Sequence, residues 1–148
     1  MSFDFQAIAD RVSIEALRGE FTDAVMMRDY DRAATLFTPD GALRMPNVPV
    51  ELLGPAQIRA WGERVPEFVE FLIQNTHPGV VQLSGDTATG RAYMSEVIRL
   101  RDGTSEVNYA IHHDRYQRTA DGWKFTERVY EVRYHDTSQL AGSAPNSP

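Results

Sequence analysis

The first part of the chain repeats apolar residues at the spacing of amphipathic helices. Between Ala9 and Arg28, the apolar residues Ile14, Leu17 and Phe21 recur at steps of three and four, with charged residues between them. The run "YDRAATLF" repeats this spacing over a shorter length, and "TPDG" ends it with proline and glycine. These patterns predict two N-terminal helices.

A third helix is predicted in the run "GPAQIRAWGERVPEFVEFL". Pro55 suits the first position of a helix, and Ile58, Trp61 and Val65 form one apolar stripe. Pro66 should kink or end this helix, because proline removes a backbone donor and clashes with the preceding turn. The segment "ALRMP", which lies before the helix, predicts a short strand.

The chain after Ile73 has the pattern of β structure. We expect a strand near Thr76 to Leu83, a long strand from about Ala88 to Leu100, and two hairpins at "RDGT" and "ADGW". Helices that precede a mostly antiparallel sheet are typical of an α+β domain, with the helices packed on one face of a curved sheet.

Length and composition favour one globular domain. With 148 residues, 42% of them hydrophobic and 24% charged, the chain can bury a single core. We expect one domain over residues 1–137. The C-terminal run "SQLAGSAPNSP" is rich in serine, proline and small residues, so residues 138–148 are predicted to form a disordered tail.

Charge and cysteine content narrow the expected partners. The formal net charge of -6 disfavours nucleic acid and anionic membranes, which need clustered basic residues. The chain has no cysteine, so it offers neither disulfides nor thiolate metal sites. The N-terminal segment lacks the pattern of a signal peptide or a membrane anchor. We therefore expect a cytoplasmic protein that binds a small molecule.

The strand alternation in "NYAIHHDRY" separates its two histidines, since successive side chains point to opposite faces. A two-residue turn at Asp102 and Gly103 would place Arg101 opposite Thr104. The same register pairs Tyr93 with His112 and Arg91 with Asp114. Under this interpretation one face of the hairpin carries the polar site candidates Arg91, Tyr93, His112 and Asp114. The opposite face is mostly apolar, and its exceptions are Glu96 and His113.

The order of several short motifs resembles a known family. "MRDYDRAATLFTPDG", "GPAQIRAW", "NTHPG", "LSGDTATGRAYM" and "HHDRYQRTADGWKFTER" follow one another as in the SnoaL-like branch of the nuclear transport factor 2-like superfamily. The similarity covers roughly Ile14 to Tyr134. It implies a cone-shaped α+β fold of the cystatin-like type, with three helices wrapped on a strongly bent sheet, a pocket inside the cone, and dimerisation through the outer sheet face.

The family contains several enzyme classes as well as proteins that only bind. Its members include ketosteroid isomerases, scytalone dehydratases, limonene epoxide hydrolases and polyketide cyclases. The oxyanion tyrosine of the ketosteroid isomerases matches Phe21, and their base aspartate matches Met45, so that mechanism is not predicted here. Their protonated aspartate matches Asp114 if the last hairpin has one extra residue, which puts the face of His112 and Asp114 inside the cone.

The scytalone dehydratases imply the same orientation of the strand. Their pocket asparagine matches His112, and their first pocket histidine resembles His77. Their tyrosine and aspartate on the first helix match Val25 and Met26, which have no acid or base chemistry.

The resemblance leads to a hypothesis about the site. His77 and His112 would move protons, Tyr93 would donate a hydrogen bond to a developing oxyanion, and Asp114 with Arg91 would orient His112. Four apolar or aromatic residues are expected to form the pocket walls; they are Trp61, Phe21, Met45 and Tyr130. Residues of these types are more often part of a hydrophobic core than in contact with a ligand. For each histidine a purely structural role remains open, as does a simple ion pair for Asp114.

The function expected from these residues is that of a lyase, isomerase or cyclase that uses no cofactor and no metal. Its substrate would be a small, largely apolar carbonyl or polyketide-like molecule, and the protein would be a homodimer. Two alternatives stay open: a protein that binds a small molecule without acid or base chemistry, and a structural dimerisation module whose cone is filled by side chains.

Overall fold

A computed structural model describes residues 4–145 as an α+β fold with three helices and six strands. The elements in chain order are α1 (Phe5–Met26), α2 (Tyr30–Thr35), β1 (Phe37–Met45), β2 (Val50–Leu53), α3 (Gly54–Phe68), β3 (Val69–Ser84), β4 (Thr87–Leu100), β5 (Ser105–Thr119) and β6 (Gly122–Asp136). The predicted α+β class and the three N-terminal helices are confirmed.

The six strands form one mixed sheet in the order β2-β1-β6-β5-β4-β3. All neighbouring strands are antiparallel except β1 and β6, which are parallel. The long strands β3 to β6 follow one another through hairpins, so residues far apart in sequence meet on one face of the sheet. We call the face that the helices cover the inner face, and the opposite one the outer face.

Helix α1 begins where the Asp4 side chain accepts hydrogen bonds from the backbone N–H groups of Gln6 and Ala7. Its predicted apolar stripe is buried: Ile14, Leu17 and Phe21 join the main core. Because this stripe faces the sheet, α1 covers the inner face and forms one wall of the cavity described below. Within the described residues, no helix is long and apolar enough to cross a membrane.

Several elements differ from the sequence pattern. Strand β1 begins at Phe37, so it includes the run "TPDG", which was predicted to end a helix before a short strand at "ALRMP". Strand β3 starts directly after α3 at Val69, instead of near Thr76, because its first residues pair with the end of β4. Strand β2 was not predicted; it is short and lies at the sheet edge. Helix α3 continues two residues past Pro66, to Phe68, so proline lies in its final turn.

The predicted register of the β4–β5 hairpin is wrong by one residue. Leu100 is hydrogen-bonded to Thr104, so the loop has three residues and ends with Gly103 at φ 90°. A glycine in the left-handed region adds this third residue without strain. As a result His112 pairs with Ala92 and Asp114 pairs with Gly90, whereas Arg91 faces His113.

This shift moves two predicted site residues to the other side of the sheet. Tyr93 now pairs with Ile111, and it lies with Arg91 on the outer face, away from His112. Glu96 pairs with Asn108 and therefore shares the inner face with His112.

His77 lies directly before an irregularity in β3. The register of β3 against β4 changes between His77 and Val80, and a Cβ added to Gly79 would lie 1.8 Å from the Arg91 carbonyl oxygen. Only glycine fits so close to the neighbouring backbone. His77 pairs with Tyr93 and is exposed on the outer face.

The C-terminal segment has no helix or strand between residues 137 and 145. Part of the predicted tail nevertheless contacts the sheet, since Arg99 donates hydrogen bonds to the carbonyl oxygens of Leu140 and Gly142 at 2.8 and 3.1 Å. The last residues of that prediction, 146–148, lie outside the described part of the chain.

Candidate functional site

A cavity of about 380 Å³ lies between the helices and the inner face of the sheet. All four residues that the sequence suggested as walls line it; they are Phe21, Met45, Trp61 and Tyr130. Further apolar side chains from α1, α3 and the strands complete the walls, so most of the surface that a ligand would touch is hydrophobic. A cavity of this kind, with few polar groups, is typical of a site for a small apolar molecule.

Three polar side chains of the cavity wall converge on Glu96. Its carboxyl group is buried among side chains from β3 and β5, which flank β4, and from β6 beyond β5. The Oε1 atom accepts hydrogen bonds from the Asn108 amide, at 3.2 Å, and from the Tyr130 hydroxyl. The Oε2 atom is 3.4 Å from the Gln74 amide nitrogen, which donates to it. Three neutral donors therefore surround one buried carboxyl group.

Asn108 is itself held by a residue outside the cavity. The Nδ1 atom of exposed His135 lies 2.6 Å from Asn108 Oδ1. Because this amide oxygen can only accept, His135 carries the hydrogen on Nδ1 and the Asn108 amino group turns toward Glu96. His135 thus fixes which way the asparagine points.

Tyr130 remains a hydrogen-bond donor at any physiological pH. Burial and the adjacent Glu96 carboxyl group raise the pKa of its phenol far above the ordinary value. Its ring packs beside the His112 ring, with 5.6 Å between the ring centres. Tyr130 therefore spans the inner face between the polar cluster of Glu96 and the imidazole of His112.

His112 lies in the wall of the cavity on strand β5. Its ring also meets Phe21 edge to face, with 5.9 Å between the ring centres. Burial lowers the pKa of the imidazole well below its ordinary value, and the positive charges of Arg128 and Arg18 lower it further. The ring is consequently neutral near pH 7 and presents one donor nitrogen and one acceptor nitrogen.

Asp114 belongs to a closed ionic cluster rather than to the cavity. It accepts hydrogen bonds from Arg128 at 2.7 and 3.1 Å and from the Tyr116 hydroxyl at 2.6 Å. Arg18 of α1 donates to the same hydroxyl at 2.8 Å and lies 3.9 Å from the carboxylate. The predicted pairing of Asp114 with Arg91 is wrong, because the register shift places Arg91 on the other face of the sheet. Asp114 therefore ties α1 to strands β5 and β6.

The remaining predicted groups lie outside the cavity. His77 contacts the Ser95 hydroxyl at 3.2 Å, and Tyr93 is 43% exposed, both on the outer face. On the inner face, β3 presents Gln74 to the cavity, and the backbone N–H of Gln74 lies 3.0 Å from the sulfur of Met26. The cavity thus has neither His77 nor Tyr93 as a proton-transfer group.

Sequence reasoning gave no role to Asn108 and Gln74 and left Glu96 undecided. The available signal was the position of Glu96 between Met94 and Ile98, since a carboxylate within an apolar strand face is unusual. With a three-residue hairpin loop, alternation would have placed Glu96 on the face of His112. Within residues 4–145 no group of three or more histidine, aspartate and glutamate side chains is arranged to hold a metal ion.

Comparison with protein families supports the resemblance seen in the sequence. The family model described as a SnoaL-like domain matches residues 6–129. A search of curated protein sequences finds no match.

Several solved structures share the fold. The hexachlorocyclohexane dehydrochlorinase LinA-type3 from Novosphingobium barchaimii is 21% identical, with a TM-score of 0.83 and coverage of 99% of this chain and 100% of that chain. A candidate scytalone dehydratase from Novosphingobium aromaticivorans is 16% identical, with a TM-score of 0.80 and coverage of 94% of each chain.

An NTF2-like protein with a cystatin-like fold from Novosphingobium aromaticivorans is 21% identical, with a TM-score of 0.74 and coverage of 95% of this chain and 88% of that chain. The predicted fold family is confirmed.

The lowered pKa of His112 predicts how stability depends on pH. As the pH falls below about 6.5, the unfolded chain binds a proton at this residue and the folded chain does not, so the free energy of unfolding decreases by up to about 1.4 kcal/mol per pH unit. In His112→Asn this contribution is absent. Urea denaturation between about pH 7 and pH 5 should therefore show a shallower loss of stability in the variant than in the wild type, with His77→Asn as the matched control. Equal slopes in wild type and His112→Asn would contradict this.

Proposed function

Since the chain belongs to the SnoaL-like domain family, we propose that its cavity is the active site of a lyase, isomerase or cyclase that uses no cofactor. The substrate would be a small, largely apolar carbonyl or polyketide-like compound. The observation that carries the proposal is a neutral imidazole, His112, in the wall of a mostly apolar cavity. Such a group can accept and return a proton near neutral pH.

The shared fold is compatible with this proposal. The related structures include a dehydrochlorinase and a candidate dehydratase by name, and both names denote the loss of a small molecule from a substrate. These proteins have low sequence identity to the chain, so the proposal depends on the residues of this cavity.

In the proposed reaction the apolar walls hold the body of the substrate and exclude water. His112 faces the polar part of the bound molecule, where its two ring nitrogens can exchange a proton or a hydrogen bond with the substrate. Its lowered pKa keeps the imidazole neutral, so one ring nitrogen can donate a hydrogen bond and the other can accept one. The phenol inside the cavity is Tyr130, but its single hydroxyl hydrogen is donated to Glu96, so the donor role first assigned to Tyr93 passes to the N–H group of His112 in this proposal.

The proposal predicts that His112 is needed for turnover. A suitable probe is β-tetralone, a small aromatic ketone with acidic C–H bonds, whose exchange of those hydrogens in deuterium oxide is followed by proton NMR. We expect His112→Asn to slow the enzyme-catalysed exchange at least about 100-fold, because a positioned acid or base contributes roughly 10² to 10⁴. His77→Asn, on the outer face, should exchange at the wild-type rate.

Thermal unfolding shows whether the His112→Asn protein is folded. A folded His112→Asn that exchanges as fast as the wild type would refute the role of His112. A wild type that does not accelerate exchange of β-tetralone above the buffer rate would refute the proposal as a whole.

A binding function is the second candidate, and one observation favours it. Val25 and Met26 line the cavity at positions where the family resemblance implies a tyrosine and an aspartate. A cavity without these groups could hold a ligand and perform no proton transfer. Quenching of tryptophan fluorescence by β-tetralone, without any accelerated exchange, would support this candidate, since Trp61 lies in the wall.

We also propose that the protein is a homodimer joined through the outer sheet face. Several large apolar or aromatic side chains of that face are 42% to 56% exposed; they are Ile73, Val80, Tyr93, Tyr109 and Tyr134. Light scattering after gel filtration should give a dimer for the wild type and for Val12→Glu, which alters an equally apolar exposed site on α1. Tyr93→Glu should give a monomer. A monomeric wild type would exclude the proposed assembly.

A further inference from the structure

We propose that Glu96 is the base that removes a proton from carbon in this cavity, so that the substrate is a carbonyl compound with an acidic C–H bond. The inference rests on the function proposed above and assigns a task to a residue that the family resemblance does not point to. It divides the reaction between two groups: Glu96 acts at the carbon atom, and His112 acts at the carbonyl oxygen.

The surroundings of Glu96 differ from those of a structural carboxylate. Asp114, on the same inner face, lies against two arginine side chains. Glu96 takes part in none of the ion pairs found within residues 4–145, and its hydrogen bonds come from Tyr130, Asn108 and Gln74, which are neutral. Neutral donors fix the orientation of the carboxylate, and no cationic side chain of the described residues pairs with it.

The two oxygen atoms of Glu96 are not equivalent. Oε1 accepts two hydrogen bonds, from Tyr130 and Asn108. Oε2 has a single long contact of 3.4 Å with Gln74. Because a carboxylate oxygen has two lone pairs, Oε2 retains room for a proton from a ligand in the cavity that Glu96 lines.

The position of Tyr130 allows a single substrate to contact both Glu96 and His112. The ring of Tyr130 packs against His112, and its hydroxyl reaches Glu96, so one tyrosine spans the distance between the two. A substrate lying along this ring would place a C–H bond near Glu96 and its carbonyl oxygen near His112.

The chemical step needs no further reactant. The C–H bond next to the carbonyl group breaks, and its proton moves to Oε2 of Glu96. The electron pair of that bond forms the C=C bond of an enolate, and the π electrons of the carbonyl group move to its oxygen. The N–H group of neutral His112 donates a hydrogen bond to that oxygen. The proton then returns from Oε2 to the same or another carbon. In an elimination the electron pair instead expels a leaving group from the adjacent carbon, and the proton passes from Oε2 to that departing group.

The decisive variant is Glu96→Gln, and the structure offers a reason why it should fold. Its amide oxygen can accept from Tyr130 and Asn108 as before. Its new amino group can donate to Gln74 Oε1, a buried oxygen that has no hydrogen-bond partner within the described chain, once the Gln74 amide turns over. Glu15→Gln is the matched control, since Glu15 is an exposed carboxylate on the outer side of α1.

We expect Glu96→Gln to exchange the acidic hydrogens of β-tetralone at least about 100-fold more slowly than the wild type. Glu15→Gln should match the wild type. If Glu96→Gln exchanges as fast as Glu15→Gln while His112→Asn is slow, the role of Glu96 is overturned and the proposed function stands. If the wild type itself gives no accelerated exchange, the proposed function fails, and this inference fails with it.

A covalent probe tests Glu96 without relying on turnover rates. Phenacyl bromide is a small aromatic ketone whose carbon next to the carbonyl bears bromine. A carboxylate oxygen attacks that carbon, a C–O bond forms, the C–Br bond breaks and bromide leaves, so that an ester remains. The chain contains no cysteine, which removes the usual competing nucleophile.

Peptide mapping by mass spectrometry should find the ester on Glu96, and hydroxylamine should remove it. Alkylation of a histidine would resist hydroxylamine, so the two products are distinguishable. Glu96→Gln should lose this modification and Glu15→Gln should keep it. Modification of the wild type confined to His112 or to exposed residues would overturn the proposal.

Discussion

The buried contact between Asp114 and Arg128 is the interaction on which the arrangement of this molecule depends. Their side chains are almost completely removed from solvent and share two hydrogen bonds. Arg18 of α1 reaches the same carboxylate through the Tyr116 hydroxyl. Removing one partner of a buried ion pair typically costs about 3 to 5 kcal/mol, because the other charge stays buried and uncompensated. One carboxylate thus holds the first helix against two strands of the sheet.

This ionic cluster also shapes the cavity beside it. Phe21 lies between the two regions: the Arg128 guanidinium is 4.6 Å from the centre of its ring, and its edge meets the His112 ring. The positive charges that fix the fold contribute to the lowered pKa of His112. The inner face therefore has two regions. The ionic cluster of Asp114 stabilises the fold, and the cavity beside it contains the side chains of Glu96 and His112.

The helices and the fold class could be predicted from the sequence pattern. The position of His112 on the inner face could be predicted only through the family resemblance. For the side chains of β4 the prediction failed at one local feature, the three-residue loop that ends at Gly103. "RDGT" is compatible with loops of two or three residues, and a shift of one residue moves every side chain of a strand to the other face. For this reason Tyr93 and Arg91 were assigned to the site and Glu96 was left undecided. The contact of Asp114 with Arg128 joins residues on different strands, and strand alternation alone does not select that partner.

We propose that small apolar ketones bind on the inner face, between Glu96 and His112. The most direct measurement is an NMR titration of the isotope-labelled protein with β-tetralone, in which the backbone amide signals are assigned. We expect the largest shifts at four residues that line the cavity; they are Glu96, Asn108, His112 and Tyr130. Shifts confined to the outer face, around His77 and Tyr93, or no saturable shifts at all, would contradict this proposal.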